Sequence, residues 1–427
     1  MLAKTGDLQC GSVTRGVSDE PAPSGPTARP EFGIRRTRRR SNRRTAWRVA
    51  AACVSAVAVF SAAACGSSPS SSSPSSSASP SGAGSSESAQ GMNVAAAKAA
   101  LVPYTNQPST FPVTEPLTKK LPAGKKFVFL QCSTPVCAPA GKLLQPAVKA
   151  IGGTFTAVNA GTTAQASQAA ASSVLALKPD AVLYSGSTPA LFGGGLKAIS
   201  GAGIKVVSIS ISTDVKPYGI TFNYIGPDTT QLYGKLLADW VVVNKGAIAD
   251  AVFYGVPALD LSPLVQKAFE DELHKNCASC KARTVPIDAS TIGKMSAATV
   301  VSDLQAHPST NVAVFVSFQV AAGLPAAMKI AGLSVPTVGF APTPGNLQDL
   351  KNDGLTAALA IDFPVSVWTA VDAAARLIQG AQSTSGEKAG EVPLQFLAKK
   401  DITFDPTNGW SGYPDFSQRF AKLWQTS

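Results

Sequence analysis

Seven cysteines and two histidines are the strongest candidate nucleophiles and metal ligands in this chain of 427 residues. Cys10 and Cys53 fall in the N-terminal stretch, and Cys65 follows three alanines. The other four form two close pairs, Cys132 with Cys137 and Cys277 with Cys280. Four thiolates could together hold a zinc ion, and Cys277-Ala278-Ser279-Cys280 has the spacing of a dithiol redox motif. The elements expected around them set the pairs far apart and give the second no redox βαβ context. In an exported chain both pairs read as local disulfides. His274 lies at a helix end and His307 precedes Pro308 in a turn, so both read as solvated. No G-x-S-x-G elbow, Walker loop or G-x-G-x-x-G loop occurs. Glu270, Asp271 and Glu272 lie on the wet face of an amphipathic helix. Nothing supplies a nucleophile with its base, so the chain reads as a non-enzyme with no metal and no cofactor.

The elements that must position any site are most legible in residues 311–364. Residues 312–316 form the short apolar run of a buried parallel strand. A helix over 323–331 stops at Gly332, which enters a left-handed cap without strain. A strand over 335–340 leads to a helix opened by Pro344, where the missing N–H costs nothing; a strand over 356–361 follows. Upstream, residues 125–227 repeat the β-α unit. Strands are expected at 127–131, 153–158, 181–184, 204–209 and 220–225, and helices at 138–151, 163–177 and 189–200. Asp228 reads as the N-cap of a helix reaching about residue 243. Strands at 251–254 and 284–287 and helices at 262–274 and 296–306 complete the pattern. Strands alternating with helices imply parallel, helix-covered sheets. The fold class is therefore α/β: two doubly wound parallel-sheet lobes joined by a multi-strand hinge. The expected division is 125–227 with 364–400 for the first lobe, and 228–363 with 401–427 for the second.

The net charge of +11 is concentrated ahead of these lobes: residues 1–48 carry +7 and the rest +4. That balance gives no argument for nucleic acid. Arginines over 35–48 precede an uncharged Ala/Val run over 49–64, too short for a comfortable membrane span. This describes a secretory signal within a basic extension, residues 1–64. Ala62-Ala63-Ala64-Cys65 resembles a bacterial lipobox, which implies acylation of Cys65 and a lipid anchor in the membrane. Residues 66–90 are Ser/Pro-rich, with Glu87 their one charge. They read as a disordered tether whose ends lie roughly 25–30 Å apart. Residues 91–124 follow: a short helix over 93–101, then a Pro-punctuated segment expected to wrap the first lobe.

In order and spacing, residues 125–380 resemble the type I periplasmic binding proteins, the two-lobed solute receptors of ABC importers. The resemblance is plainest in "VPTVGF", the Pro-led helix after it, and "TAALA" followed by a proline. It implies an extracytoplasmic, monomeric receptor on the outer face of the cell membrane that delivers a small-molecule solute to a permease. The alternative within the same fold is a sensor presenting its ligand to a membrane receptor. A transcription regulator would need a helix-turn-helix where this chain has its signal sequence.

A doubly wound sheet binds its ligand beyond the carboxyl ends of its strands, and two facing lobes close over it. The candidates in the first lobe are Ser133, Thr134, Asn159, Ser185, Ser187, Ser210 and Ser212. The second lobe offers Tyr254, Pro257, Asp288, Ser317, Phe318, Gln319 and Ala341. The hinge adds Asn223, Tyr224, Asp362 and Phe363. Sugar receptors of this family place charged groups where this chain has Ser210-Ile211, Val265, Ser317-Phe318 and Ala341, and a glutamine near Asp362. Sugars are held by charge-assisted hydrogen bonds, so the expected ligand is not a simple sugar. Asp362 is the remaining charged candidate, either for a ligand with N–H donors or as a cap on the helix behind it.

Overall fold

The structure, a computed structural model, describes residues 92–133 and 137–426. The N-terminal extension, the signal, Cys65 and the tether lie outside the described residues, as does Thr134. No helix among the described residues is long and apolar enough to cross a membrane.

Helix α1 (Val94–Leu101) comes first, capped by the Asn93 side chain. The first lobe then runs β1 (Lys126–Gln131), α2 (Ala138–Ala150), β2 (Thr154–Asn159), α3 (Ala164–Leu177), β3 (Ala181–Ser185), α4 (Gly195–Gly201), β4 (Lys205–Ile209) and β5 (Phe222–Tyr224). The second runs α5 (Pro227–Lys245), β6 (Asp250–Gly255), α6 (Ser262–Asn276), β7 (Lys281–Pro286), α7 (Ser296–Ala306), β8 (Val312–Phe315), α8 (Leu324–Ile330), β9 (Thr337–Phe340), α9 (Pro344–Lys351) and β10 (Ala357–Ile361). Last come α10 (Phe363–Ile378), α11 (Ser385–Ala389), β11 (Leu394–Leu397) and α12 (Phe416–Leu423).

One sheet has the order β2-β1-β3-β4-β5 and is parallel throughout. Strand alternation divides its apolar residues between two layers. Phe127, Phe129, Leu183 and Val207 join the core under α2 and α10. Val128, Leu130, Val182 and Val206 pack with Val174 of α3 and Leu196 and Ile199 of α4. The other sheet has the order β11-β10-β9-β8-β6-β7, parallel except for β11. Both faces of each sheet are covered, which is why the inner strands read as unbroken apolar runs rather than alternating ones.

Three stretches depart from the expected division. The strand β11, expected with the first lobe, pairs antiparallel with β10 and so belongs to the second sheet. At four residues it is too short to carry a readable period. The tail, expected with the second lobe, ends on the first: α12 packs on α10, with Trp424 stacked on Trp368 at 5.2 Å. The N-terminal segment, expected on the first lobe, starts on the second. There α1 lies along α5, and the Asn93 N–H donates to the Asn276 carbonyl at 2.7 Å. The segment then crosses to the first lobe, where the Leu117 N–H donates to the Leu423 carbonyl at 2.8 Å. At the start of α5, Gly226 is the cap and Asp228 sits inside the first turn, because Pro227 takes the N1 position.

Candidate functional site

The first lobe ends its strands in a polar rim. Ser133 donates its hydroxyl to Asn159 Oδ1, which also accepts the Gly161 N–H at 2.8 Å; both side chains are exposed. Ser185 ends β3 and is part-exposed, whereas Ser187 is buried, its carbonyl accepting the Tyr184 hydroxyl. The sulfurs of Cys132 and Cys137 lie at disulfide distance, as do those of Cys277 and Cys280. Gly186 passes under the first pair so closely that a Cβ there would come within 2.6 Å of the Cys137 sulfur. This packing anchors the loop after β1 against the loop after β3.

Ser210 follows β4 with φ 57°, its N–H donating to the Tyr224 carbonyl at 3.0 Å. Ala341 repeats this after β9: φ is 55° and its N–H donates to the Leu359 carbonyl at 3.0 Å. Each follows the fourth strand of its sheet in chain order, and each holds a left-handed backbone that costs a residue with a Cβ about 1–2 kcal/mol. Strain of this kind concentrates where a scaffold presents a ligand. Both residues are part-exposed, and neither side chain is charged.

Several expected ligand residues serve the core instead. Tyr254 is fully buried, and its hydroxyl donates to Asp303 Oδ2 at 2.7 Å beneath α7. The Asp303 carboxylate is in turn held by Arg283 through two bonds of 2.8 Å. Phe318 is fully buried and fills the space left by Gly339, where a Cβ would stand 2.3 Å from its ring. Ser317 beside it is buried, whereas Gln319 is part-exposed. Asp288 is exposed, and its carboxylate accepts the Ser290 N–H at 2.9 Å as a local cap; that bond holds its pKa below the usual carboxylate range. Pro257 is exposed, in the loop after β6. Asn223 has both ends of its amide engaged, accepting the Ser208 hydroxyl at 2.7 Å and donating to the Ile211 carbonyl at 2.8 Å.

At the hinge, Asp362 is fully buried. One oxygen caps α10 by accepting the Val365 N–H at 3.1 Å, and the other accepts the Ser411 hydroxyl at 2.7 Å. Burial pushes its carboxyl up to about 6, against the lowering pull of those bonds. It is therefore the helix cap of the two expected roles and offers a ligand nothing. Tyr224 is likewise buried, its hydroxyl donating to the Glu391 carbonyl at 2.5 Å. Phe363 remains part-exposed. A cavity of about 440 Å³ lies beside the hinge rather than at the strand ends, between Tyr104, Leu232 of α5 and Pro393.

Asp260 was not among the expected residues. It lies in the loop after β6, and its carboxylate accepts the backbone N–H groups of Ser212 and Thr213 from the first lobe. The carboxyl ends of the two parallel sheets therefore face each other. Its only sequence signal is that it is the one acid between Gly255 and Leu261.

A family model described as a periplasmic binding protein domain matches residues 126–382. The chain belongs to that family. Among solved structures, a solute binding protein from Agrobacterium vitis with bound allitol is 20% identical. It has a TM-score of 0.57, with 65% of this chain and 97% of that chain covered. The Caulobacter myo-inositol binding protein is 18% identical, with a TM-score of 0.57 and 68% and 97% covered. The 5-methylthioribose transporter solute binding protein from Thermotoga lettingae is 16% identical, with a TM-score of 0.59 and 72% and 99% covered. These likenesses establish the fold. No curated protein matches the sequence significantly. In this periplasmic binding protein, the strand-end candidates that stay open include Ser133, Asn159, Ser185, Ser210, Pro257, Asp288, Gln319 and Ala341, with Phe363 at the hinge.

Proposed function

We propose that this chain is an extracytoplasmic, lipid-anchored receptor that captures a small molecule between its lobes and delivers it to an ABC importer. The observation that carries this reading is the meeting of the strand ends of both sheets, with Ser210 and Ala341 at their like positions. Both walls of the cleft come from one chain, so a monomer suffices.

The solute is an uncharged molecule with fewer hydroxyls than a simple sugar. A site built to hydrogen-bond hydroxyls rejects molecules lacking them, because its buried polar groups go unpaired. Here Ser210 and Ala341 supply no charge, Asp362 caps a helix, and Asp260 is bonded to the opposite lobe. The Thermotoga lettingae protein binds 5-methylthioribose, a solute of that mixed character. Titration calorimetry of the chain from Gly91 onward should show ribose, xylose and galactose binding weaker than micromolar, and solutes of the methylthioribose or nucleoside type binding more tightly. Micromolar affinity for a simple sugar would place the protein among the sugar receptors.

Anchoring follows from Ala62-Ala63-Ala64-Cys65 behind the apolar run. Cys65→Ser should release the protein from membranes into the medium. Tight membrane association of that variant would rule out the lipid.

A further inference from the structure

Asp260 belongs to the second lobe, yet among the described residues all of its side-chain hydrogen bonds end on the first. Oδ2 accepts the Ser212 N–H at 2.5 Å and the Thr213 N–H at 3.1 Å. Oδ1 accepts the Thr213 hydroxyl at 2.6 Å. Its own backbone N–H donates to the Gly186 carbonyl at 3.0 Å. One residue thus bonds the loops after both β3 and β4, across the cleft. Successive backbone amides converging on a carboxylate form an anion-binding nest, and bonds to an ionised acceptor are about twice as strong as neutral ones.

We propose that Asp260 is an intramolecular latch: its carboxylate holds the lobes shut and occupies the first-lobe amides that would otherwise be the anion-binding corner of the cleft. It is a positioning residue, and it goes beyond the receptor reading above. Two consequences follow. Closure draws on a bond set internal to the chain as well as on contacts with the solute. The solute is also kept off residues 212 and 213, beyond Ser210, so Ser212 is not a ligand group; its N–H is taken, and its hydroxyl is buried without a partner. Anionic solutes are disfavoured at that corner by the Asp260 charge itself.

The test is hydrogen exchange and X-ray scattering on the full chain in a Cys65→Ser background. Losing a charged acceptor is expected to lower the closed-to-open ratio by about tenfold or more. In Asp260→Ala the amides of residues 212 and 213 should therefore exchange at least about tenfold faster, and the radius of gyration should rise. Asp260→Asn keeps one acceptor oxygen and should fall between wild type and Asp260→Ala. Thr213→Val alters only the first lobe and should move exchange in the same direction by less. If Asp260→Ala does not fold, the Thr213→Val comparison decides. Unchanged exchange at 212–213 and an unchanged radius in the folded variants would overturn the latch. So would exchange that quickens equally throughout β6, because Asp260 would then be stabilising its own loop.

Discussion

Replacing Arg376 with alanine is expected to destabilise the protein by about 3–5 kcal/mol, the range for breaking a buried ion pair from one side. Arg376 and Asp372 stand one turn apart on α10, at 5% and 0% exposure. The guanidinium Nε donates to Asp372 Oδ2 at 2.5 Å and lies 3.7 Å from a Glu387 oxygen. Its other nitrogens donate to the carbonyls of Glu115 and Pro116, in the N-terminal segment that crosses between lobes. Asp372 also accepts the Trp424 indole N–H at 2.7 Å. The Arg376–Asp372 pair therefore ties α10 to α11, to the end of α12 and to the N-terminal crossing, and the guanidinium lies against two buried carboxyl groups. Removing it leaves the Asp372 carboxylate without its cation where water cannot reach. Urea unfolding followed by tryptophan fluorescence would report the loss, since Trp368 and Trp424 stack within the same layer. Arg419→Ala is the control. That side chain is 44% exposed, pairs with Asp415, and lies over Phe111 and Tyr413 at 5.3 and 5.1 Å. It should cost under about 1 kcal/mol. A loss that small for Arg376 as well would mean that the buried cluster hydrates freely.

That cluster marks the boundary of what the sequence makes legible. Periodicity and punctuation are local, so the runs around Val128, Val252 and Val314 and the stop at Gly332 locate the strands and helices well. Lobe membership depends on long-range partners. Nothing in Leu394–Leu397 indicates β10 as its neighbour, and nothing in Met92–Leu101 indicates α5. The site shows the same division. Choosing strand ends leads to the rim where the two sheets meet, and the candidates there include Ser210 and Ala341, whose left-handed backbone only the fold reveals. It cannot say which way a side chain turns. Tyr254 and Phe318 stand at strand ends yet point inward, because Asp303 and the bare face of Gly339 offer them partners there. Asp362 could equally cap or bind on sequence grounds, and Ser411, 49 residues away, decides for the cap. Asp260 carries no legible signal, because a lone acid in a loop acquires meaning only from the opposite lobe.

The same buried carboxyls predict an inverted dependence of stability on pH. Burial, and then the Asp372 charge, push the Glu387 carboxyl from its ordinary 4.5 up to about 8. Burial raises Asp362 and Asp239 from 3.8 to about 6. In each case the folded protein binds the proton more tightly than the unfolded chain does. Stability therefore falls as pH rises wherever the folded state holds the extra proton. For Asp362 and Asp239 that window runs from about 4 to about 6, and for Glu387 from about 4.5 to about 8. Asp180 and Asp303 have lowered values and act oppositely, withdrawing stability only as pH drops through the acid range. The melting temperature should accordingly be higher at pH 5 than at pH 8, and the part of the slope above pH 6 belongs to the Asp372–Glu387 pair, both raised by burial. Glu387→Gln tests it. The amide keeps an oxygen for the Thr384 N–H, which Glu387 accepts at 2.6 Å, and puts a neutral group beside the Asp372 charge. Having no proton to lose, the variant should flatten the slope between pH 6 and 8, where the wild type loses on the order of 2 kcal/mol. Calorimetric melting of both proteins at pH 5, 6, 7 and 8 would show it. A wild type that grows more stable toward pH 8, or a variant with the same slope, would mean that Glu387 is already ionised in its folded place.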